Sequence, residues 1–317
     1  MKLYAELFHP DAFFYTGVVL LGFILVRTVS KVDDRSLAAA CLFIFTPVYF
    51  FQQALGQEVV SPRFSLLLFF FLFHTLGLLS VAYGVFKILN IGQQNRRLLL
   101  LNTLVAGFFW LQILQPFMGL PAQSGGILNA LKFYNLILLS GVGIYLIGDQ
   151  ERFVSNLLRV FKTPLLYAGM LGLLFAGLKF PLPYAALDVF HKIQVACLPL
   201  GLLAVGVLLG RYVFFWEAAA YAGMFPSVLL CGVLRLVVSP LLAWMILRLM
   251  GIVDAGLQRA LILMAGCPTG IMAGVLVSCY GRPNDKRFTV FCILISTLIS
   301  LATLPILVEI VNRRFPM

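Results

Sequence analysis

Ala265-Gly-Cys-Pro268-Thr269-Gly270 sits in the middle of an apolar stretch, 257–281, otherwise long enough to cross a bilayer as one helix. Proline withholds a backbone donor and collides with the preceding turn, while glycine tolerates dihedrals that other residues resist. A helix entering this segment is therefore predicted to break. A second apolar stretch, 97–120, carries Asn102-Thr103-Leu-Val-Ala-Gly107 near its centre. Unwound backbone survives at membrane depth only where protein or a watery cavity surrounds it. Two such breaks meeting at mid-membrane would aim positive helix N-termini at a bound anion. A single kink is common in membrane helices, so the matched pair is what points to a site.

Outward from these breaks the chain is apolar throughout. Its 317 residues are 62% hydrophobic and 11% charged, and the mean hydropathy is +1.01. A soluble domain carries roughly 25% charged residues, so lipid is the solvent here. About ten runs are each long enough to span roughly 30 Å of hydrocarbon. They lie at 12–29, 37–55, 64–89, 97–120, 126–147, 164–181, 184–210, 225–249, 257–281 and 287–311. The reading is an all-α polytopic membrane protein with no separate soluble domain. Glu6 and Asp11 precede the first run, where a signal peptide would be basic. The cysteines (Cys41, Cys197, Cys231, Cys267, Cys279, Cys292) lie inside apolar runs without metal-ligand spacing and read as packing residues. No cofactor or metal is expected. The sequence holds no His-Glu-x-x-His and no Gly-x-Ser-x-Gly elbow, so it reads as a non-enzyme. The net charge of +11 is assigned to basic loops rather than to nucleic-acid binding.

Those loops set an orientation. With the N-terminus outside, 13 Lys and Arg fall on the inner side and 7 on the outer, leaving Lys132, Lys192 and Arg235 within spans, 23 in all. Basic residues favour the cytoplasmic side, so both termini are expected outside. Ten spans divide into two fives, and a repeated odd-numbered unit must insert upside down, as in many secondary transporters. The expected organisation is a first repeat over 1–147, a cytoplasmic connecting loop over 148–163, and a second, inverted repeat over 164–317. Leu21-Gly22 in the first span recurs as Leu171-Gly172 in the sixth, and Pro47 in the second as Pro199 in the seventh.

These residues resemble the auxin efflux carrier family, which includes plant auxin exporters and bacterial carriers of organic acids. Asn102-Thr103-Leu-Val-Ala-Gly107 is similar to its fourth-helix Asn-Thr-x-x-x-Gly stretch. Ala265 to Ile271, running on to Tyr280-Gly281, is similar to its ninth-helix Pro-x-Gly segment. Arg235-Leu-Val-Val-Ser-Pro240 resembles its eighth-helix basic residue five before a proline, and Thr297-Leu-Ile-Ser300 with Leu304-Pro305 its tenth-helix ending. Leu198-Pro199-Leu-Gly-Leu with Gly206 resembles the seventh. One position departs: where the family has a proline two residues after the fourth-helix glycine, this chain has Phe109. The resemblance implies an elevator-type carrier of small organic anions in a bacterial inner membrane. Helices one, two, six and seven would form a scaffold that joins two copies as a homodimer. Helices three to five and eight to ten would form the moving transport unit, with fourth and ninth helices crossed.

Polar residues at depth complete the candidate substrate site: Asn102, Thr103, Gly107, Asn129, Lys132, Arg235, Pro268, Thr269 and Gly270. A charge in a span costs at least about 2.5–3.5 kcal/mol and needs a reason. Arg235 has two: drawing a substrate carboxylate inward, or tying down carbonyls freed at a helix break. Lys132 would feed the same cavity or snorkel, and Lys192 reads as snorkelling. Asn129, Asn135, Gln112 and Gln115 would line a polar path with Asn102, whose NH₂ would meet a carboxylate. His74 reads as a core histidine. All 12 acids fall near loops or span ends, Glu309 and Glu217 coming closest to burial. That argues against a carboxylate-driven proton or sodium cycle. Two alternatives stay open: a sodium-coupled bile-acid-like symporter, and a membrane ligand sensor that moves nothing.

Overall fold

A computed structural model describes residues 10–29, 32–56, 62–107, 125–147, 153–212 and 218–315. These form helices joined by short turns, with no strand among them beyond one isolated bridge. In chain order they are α1 (Pro10–Thr28), α2 (Asp34–Leu55), α3 (Pro62–Ile88) and α4 (Gln93–Leu104). Next come α5, which starts as Gly125–Leu138 and ends as Ile144–Ile147, α6 (Phe153–Lys162), α7 (Pro164–Gly177) and α8 (Tyr184–Tyr212). α9 runs from Ala218–Val233 into Ser239–Leu249, followed by α10 (Ala255–Ala265), α11 (Ile271–Tyr280) and α12 (Pro283–Arg314).

Among the described residues, five helices are long and apolar enough to span a bilayer, six if the bent pair α6–α7 counts as one. That is fewer than ten because the fourth and ninth expected spans are broken. α4 stops at Leu104, and α10 and α11 are separated by a non-helical Gly266–Gly270. Helix one, and the second half of α5, are shorter apolar helices.

The 148–163 connection differs from the loop expected there, since Phe153–Lys162 is helical and bends 56° into α7. Its periodicity explains this. Val154, Leu157, Leu158 and Phe161 make one exposed apolar stripe at i, i+3, i+4 and i+7, while Asn156 and Val160 turn inward. Such a short amphipathic helix beside a span suits the bilayer interface.

π-helical turns interrupt α2, α5 and α9 at Cys41–Phe45, Leu139–Gly143 and Leu234–Val238. Two of them precede a proline by one or two residues, Pro47 and Pro240, where the ring denies the ladder a donor and widens the preceding turn. In α2 the Cys41 carbonyl accepts both the Thr46 N–H and, at 2.7 Å, Thr46 Oγ1.

Two helix pairs pack at backbone contact. α1 lies on α8 where Gly22 faces Leu203 and Gly206, and a Cβ on Gly22 would overlap the Leu203 carbonyl. α7 lies on α2 where Gly172 faces Phe51 and Ala54, and a Cβ there would come 2.5 Å from Ala54 Cβ. Small residues let backbones approach this closely, and dispersion rather than water expulsion holds helices together in lipid. The buried core extends from these pairs through α3, α4, α5 and α9 to α12.

Candidate functional site

The two breaks meet. Beyond Leu104 the chain is extended, and Ala106 forms an antiparallel bridge with Thr269. Gly107 N–H donates to the Pro268 carbonyl at 2.9 Å, and Gly270 N–H donates to the Val105 carbonyl at 2.8 Å. Each broken segment thus supplies the backbone partners that the other lost, which is how unwound chain survives in an apolar interior. Glycine is required at 270, because a Cβ there would overlap the Ala106 carbonyl. Thr269 Oγ1 donates to the Asn102 carbonyl at 2.9 Å, and Thr269 N–H to Ser296 Oγ at 3.2 Å, which ties the crossing to α12. Asn102, Thr103, Gly107, Pro268, Thr269 and Gly270 are therefore gathered in one place. Phe109, Gln112 and Gln115 lie outside the described residues, as does the side chain of Asn129.

Arg235 projects into this crossing from the π turn of α9 and is 2% exposed. Its Nε donates to the Cys267 carbonyl at 2.8 Å and its Nη1 to the Thr103 carbonyl at 3.2 Å. Longer contacts reach the Leu104 and Met264 carbonyls at 3.5 Å. These carbonyls belong to the C-terminal ends of α4 and α10, where helix dipoles concentrate negative charge. One guanidinium therefore satisfies two helix ends together, through a planar fork that lysine lacks. The geometry answers to the second of the two sequence readings of Arg235. His74 packs beside it as a core residue, stacked on Phe70, with Nε2 3.2 Å from both the carbonyl and the hydroxyl of Ser239.

Asn102 and Thr103 are fully buried on the last turn of α4. Asn102 Nδ2 donates to the Leu98 carbonyl at 2.8 Å and to Thr289 Oγ1 at 3.2 Å, while its Oδ1 has no partner. The sequence reserves this NH₂ for a carboxylate; the protein uses it instead, and the buried atom left without a partner is an acceptor. Thr103 Oγ1 donates to the Leu99 carbonyl and lies 3.4 Å from Cys231 Sγ. Asn135 on α5 repeats the pattern, its Nδ2 on the Ala106 carbonyl at 3.3 Å and its Oδ1 unpartnered. A cavity of about 20 Å³ lies between Asn135, His74, Thr75 and Arg235. That holds about one water, the usual partner of such an orphan. Lys132, one turn earlier on α5, is half-buried.

α11 starts directly after the crossing, with Gly270 as its N-cap. Gly270 and Ile271 open this helix, and Ile271 and Met272 sit against Gly201 of α8. Met272 Sδ and Cys197 Sγ both lie 4.0 Å from Thr46 Oγ1. The helix N-terminus, with its partial positive charge, thus meets α2 and α8 at Thr46-Pro47 and Cys197 to Gly201. A much larger cavity, about 530 Å³, lies between α9, α10 and α12 and is apolar except for Thr303 and Arg314. Its walls include the exposed Leu241, Ile306 and Ile310, so it is a lipid-facing groove rather than a polar solute site.

Three charged groups differ from their sequence reading. Among the described residues Asp34 is the buried acid, 2% exposed, whereas Glu309 is exposed and paired with Arg313 at 2.7 Å; Glu217 lies outside them. Arg259, one of the seven basic residues that the expected topology puts on the outer side, is 4% exposed with Nη1 unpartnered. Thr289 and Ser296 were missed altogether. Their only signal was one polar face of α12, seven residues apart. Lys192, as expected, reaches out to an exposed pair with Asp188.

Residues 150–308 match the family model described as membrane transport protein. No curated protein matches the chain.

Proposed function

Since the chain belongs to the membrane transport protein family, that of the auxin efflux carriers and related transporters, we propose that it is an elevator-type secondary carrier of small organic anions. Membership makes it an integral membrane transporter; cargo and mechanism are our reading. The observation that carries the reading is the crossing of two broken helices, with the N-terminus of α11 turned toward α2 and α8. An anion there meets the positive end of the α11 helix dipole.

The inverted repeat has its own support. Gly22 contacts Leu203 and Gly206, while Gly172 contacts Phe51 and Ala54. Residues 22 and 172 are 150 apart, and 51 and 203, 54 and 206, and 47 and 199 are each 152 apart. The same contact is thus made twice, with the partners' order in the chain exchanged. In this reading α1, α2, α7 and α8 are the scaffold and form the homodimer seam. α3 to α5 and α9 to α12 are the transport unit, and both termini face outside a bacterial inner membrane.

Arg235 acts by holding the crossing rather than by touching cargo, and adds positive potential near it. Asn102 contacts cargo after its amide turns, or through its free Oδ1 to a donor or water on the solute. Purified protein tested for thermal stabilisation against small carboxylates, with matched amides as controls, checks this, since a ligand of the folded state raises apparent stability. Stabilisation by carboxylates but not amides is expected; stabilisation by amides alone would overturn the anion assignment.

A further inference from the structure

The Asp34 carboxylate opens α2 and is 3% exposed. Its Oδ1 is 2.5 Å from Arg211 Nη1, at the end of α8, and its Oδ2 is 2.7 Å from Lys286 Nζ, on the first turn of α12. Arg211 also donates from Nη2 to the Val32 carbonyl. The neighbouring acids are committed elsewhere. Asp33 caps α2 through Ser36 and Arg35, and Asp285 accepts from the Arg282 N–H at 2.9 Å. One buried carboxylate is thus shared by two cations.

The three residues divide unequally between the units of the proposed carrier. Asp34 and Arg211 stand on α2 and α8, the scaffold, while Lys286 stands on α12, the transport unit. We propose that Asp34 and Lys286 form a latch that must open each time the transport unit moves, with Arg211 as the fixed counter-charge that lets it open. This deepens the elevator reading and rests on it.

The charge count explains why such a latch is reversible. A buried carboxylate stripped of its only partner is a severely costly state. Asp34 is never stripped, because Arg211 stays with it when Lys286 leaves. The departing lysine is a compact, strongly hydrated cation on a flexible stem, already 12% exposed, so water receives it readily. Two static partners would lock the boundary, and a lone lysine would leave the acid bare. The asymmetric triad does neither. The chain reaches this point from three distant positions, 34, 211 and 286, so no local motif announces it.

The test pairs a cross-link with a distance measurement. In proteoliposomes, D34C/K286C joined by a short cleavable thiol cross-linker should stop anion uptake and regain it on cleavage. The same double-cysteine protein before cross-linking is the reference for both the linked and the cleaved states. Independently of any cargo, spin labels on R35C/N284C should report a short and a longer distance. Adding Lys286→Met should raise the longer population by about threefold or more, the size expected for losing one partly exposed ion pair. Uptake that survives the 34–286 cross-link, or a distance distribution unchanged by Lys286→Met, overturns the latch. Absence of uptake in the unmodified protein would sink the carrier reading instead, and the spin-label result would still decide the latch.

Discussion

The α1–α8 and α2–α7 pairs bury little of α1 and α7 beyond their glycines, whereas residues 98–107 and 257–270 at the α4–α10 crossing are buried throughout, and the two regions are held by opposite means. The helix pairs are apolar, continuous and closed by glycine, so their strength is dispersion spread over many small contacts. At the crossing, backbone is unwound and each lost ladder bond is replaced by a named partner, with Arg235 completing the set. The first arrangement gives a rigid body with nothing to offer a solute. The second gives polar groups at depth whose pairing is complete except at chosen atoms. A carrier needs both.

The comparison breaks most severely at Arg235. Arg235→Gln removes the fork that holds the Cys267 and Thr103 carbonyls, and each carbonyl left bare in the interior costs about 1–3 kcal/mol. Thermal unfolding without ligand should show the loss. An apo protein as stable as the parent would restore Arg235 to the cargo.

Glycine substitutions sharpen the contrast. Gly270→Ala forces a Cβ into the Ala106 carbonyl, and Gly206→Ala forces one into the Val19 carbonyl. Each should cost about 1–3 kcal/mol as overpacking. Only the first should also weaken anion binding, measured on the folded fraction; equal effects on binding would erase the distinction between the regions.

Asn102→Ala should act the other way round. It deletes the bonds to the Leu98 carbonyl at 2.8 Å and to Thr289 Oγ1 at 3.2 Å, each worth about 1 kcal/mol, and takes a candidate contact from the cargo. Affinity should fall by about tenfold, or roughly 1.4 kcal/mol. The smallest effect belongs to Lys192→Met, whose exposed pair with Asp188 is worth about 0–1 kcal/mol. A larger loss of stability there would mean that this end of α8 carries a contact beyond that pair.

Much of this was legible because proline and glycine act locally. Pro268 and Gly270 announce a broken helix whatever surrounds them, and the Gly22 and Gly172 echoes fall at backbone contacts. The register of the crossing was not legible. Hydrogen bonds between 105–107 and 268–270 join segments far apart in sequence, and spacing within either says nothing of their alignment. Burial of charge was misread for a related reason. Asp34 begins a helix, where acids are ordinarily solvated caps, and only the arrival of α8 and α12 encloses it. Phe153–Lys162 is too short to span, so it was read as loop although its apolar period was visible. Asn102 was found by type and position, but which end of its amide is free depends on Leu98 and on the distant Thr289.

The central claim is that the crossing receives an anion, and uptake into proteoliposomes tests it most directly. Three solutes of matched size and shape, one carboxylate, one neutral amide and one amine, are offered to the purified protein under the same conditions. The account predicts saturable uptake of the carboxylate, slower uptake of the amide and none of the amine. Preference for the amine would contradict it, because the positive helix terminus of α11 and the buried Arg235 would then repel the favoured cargo.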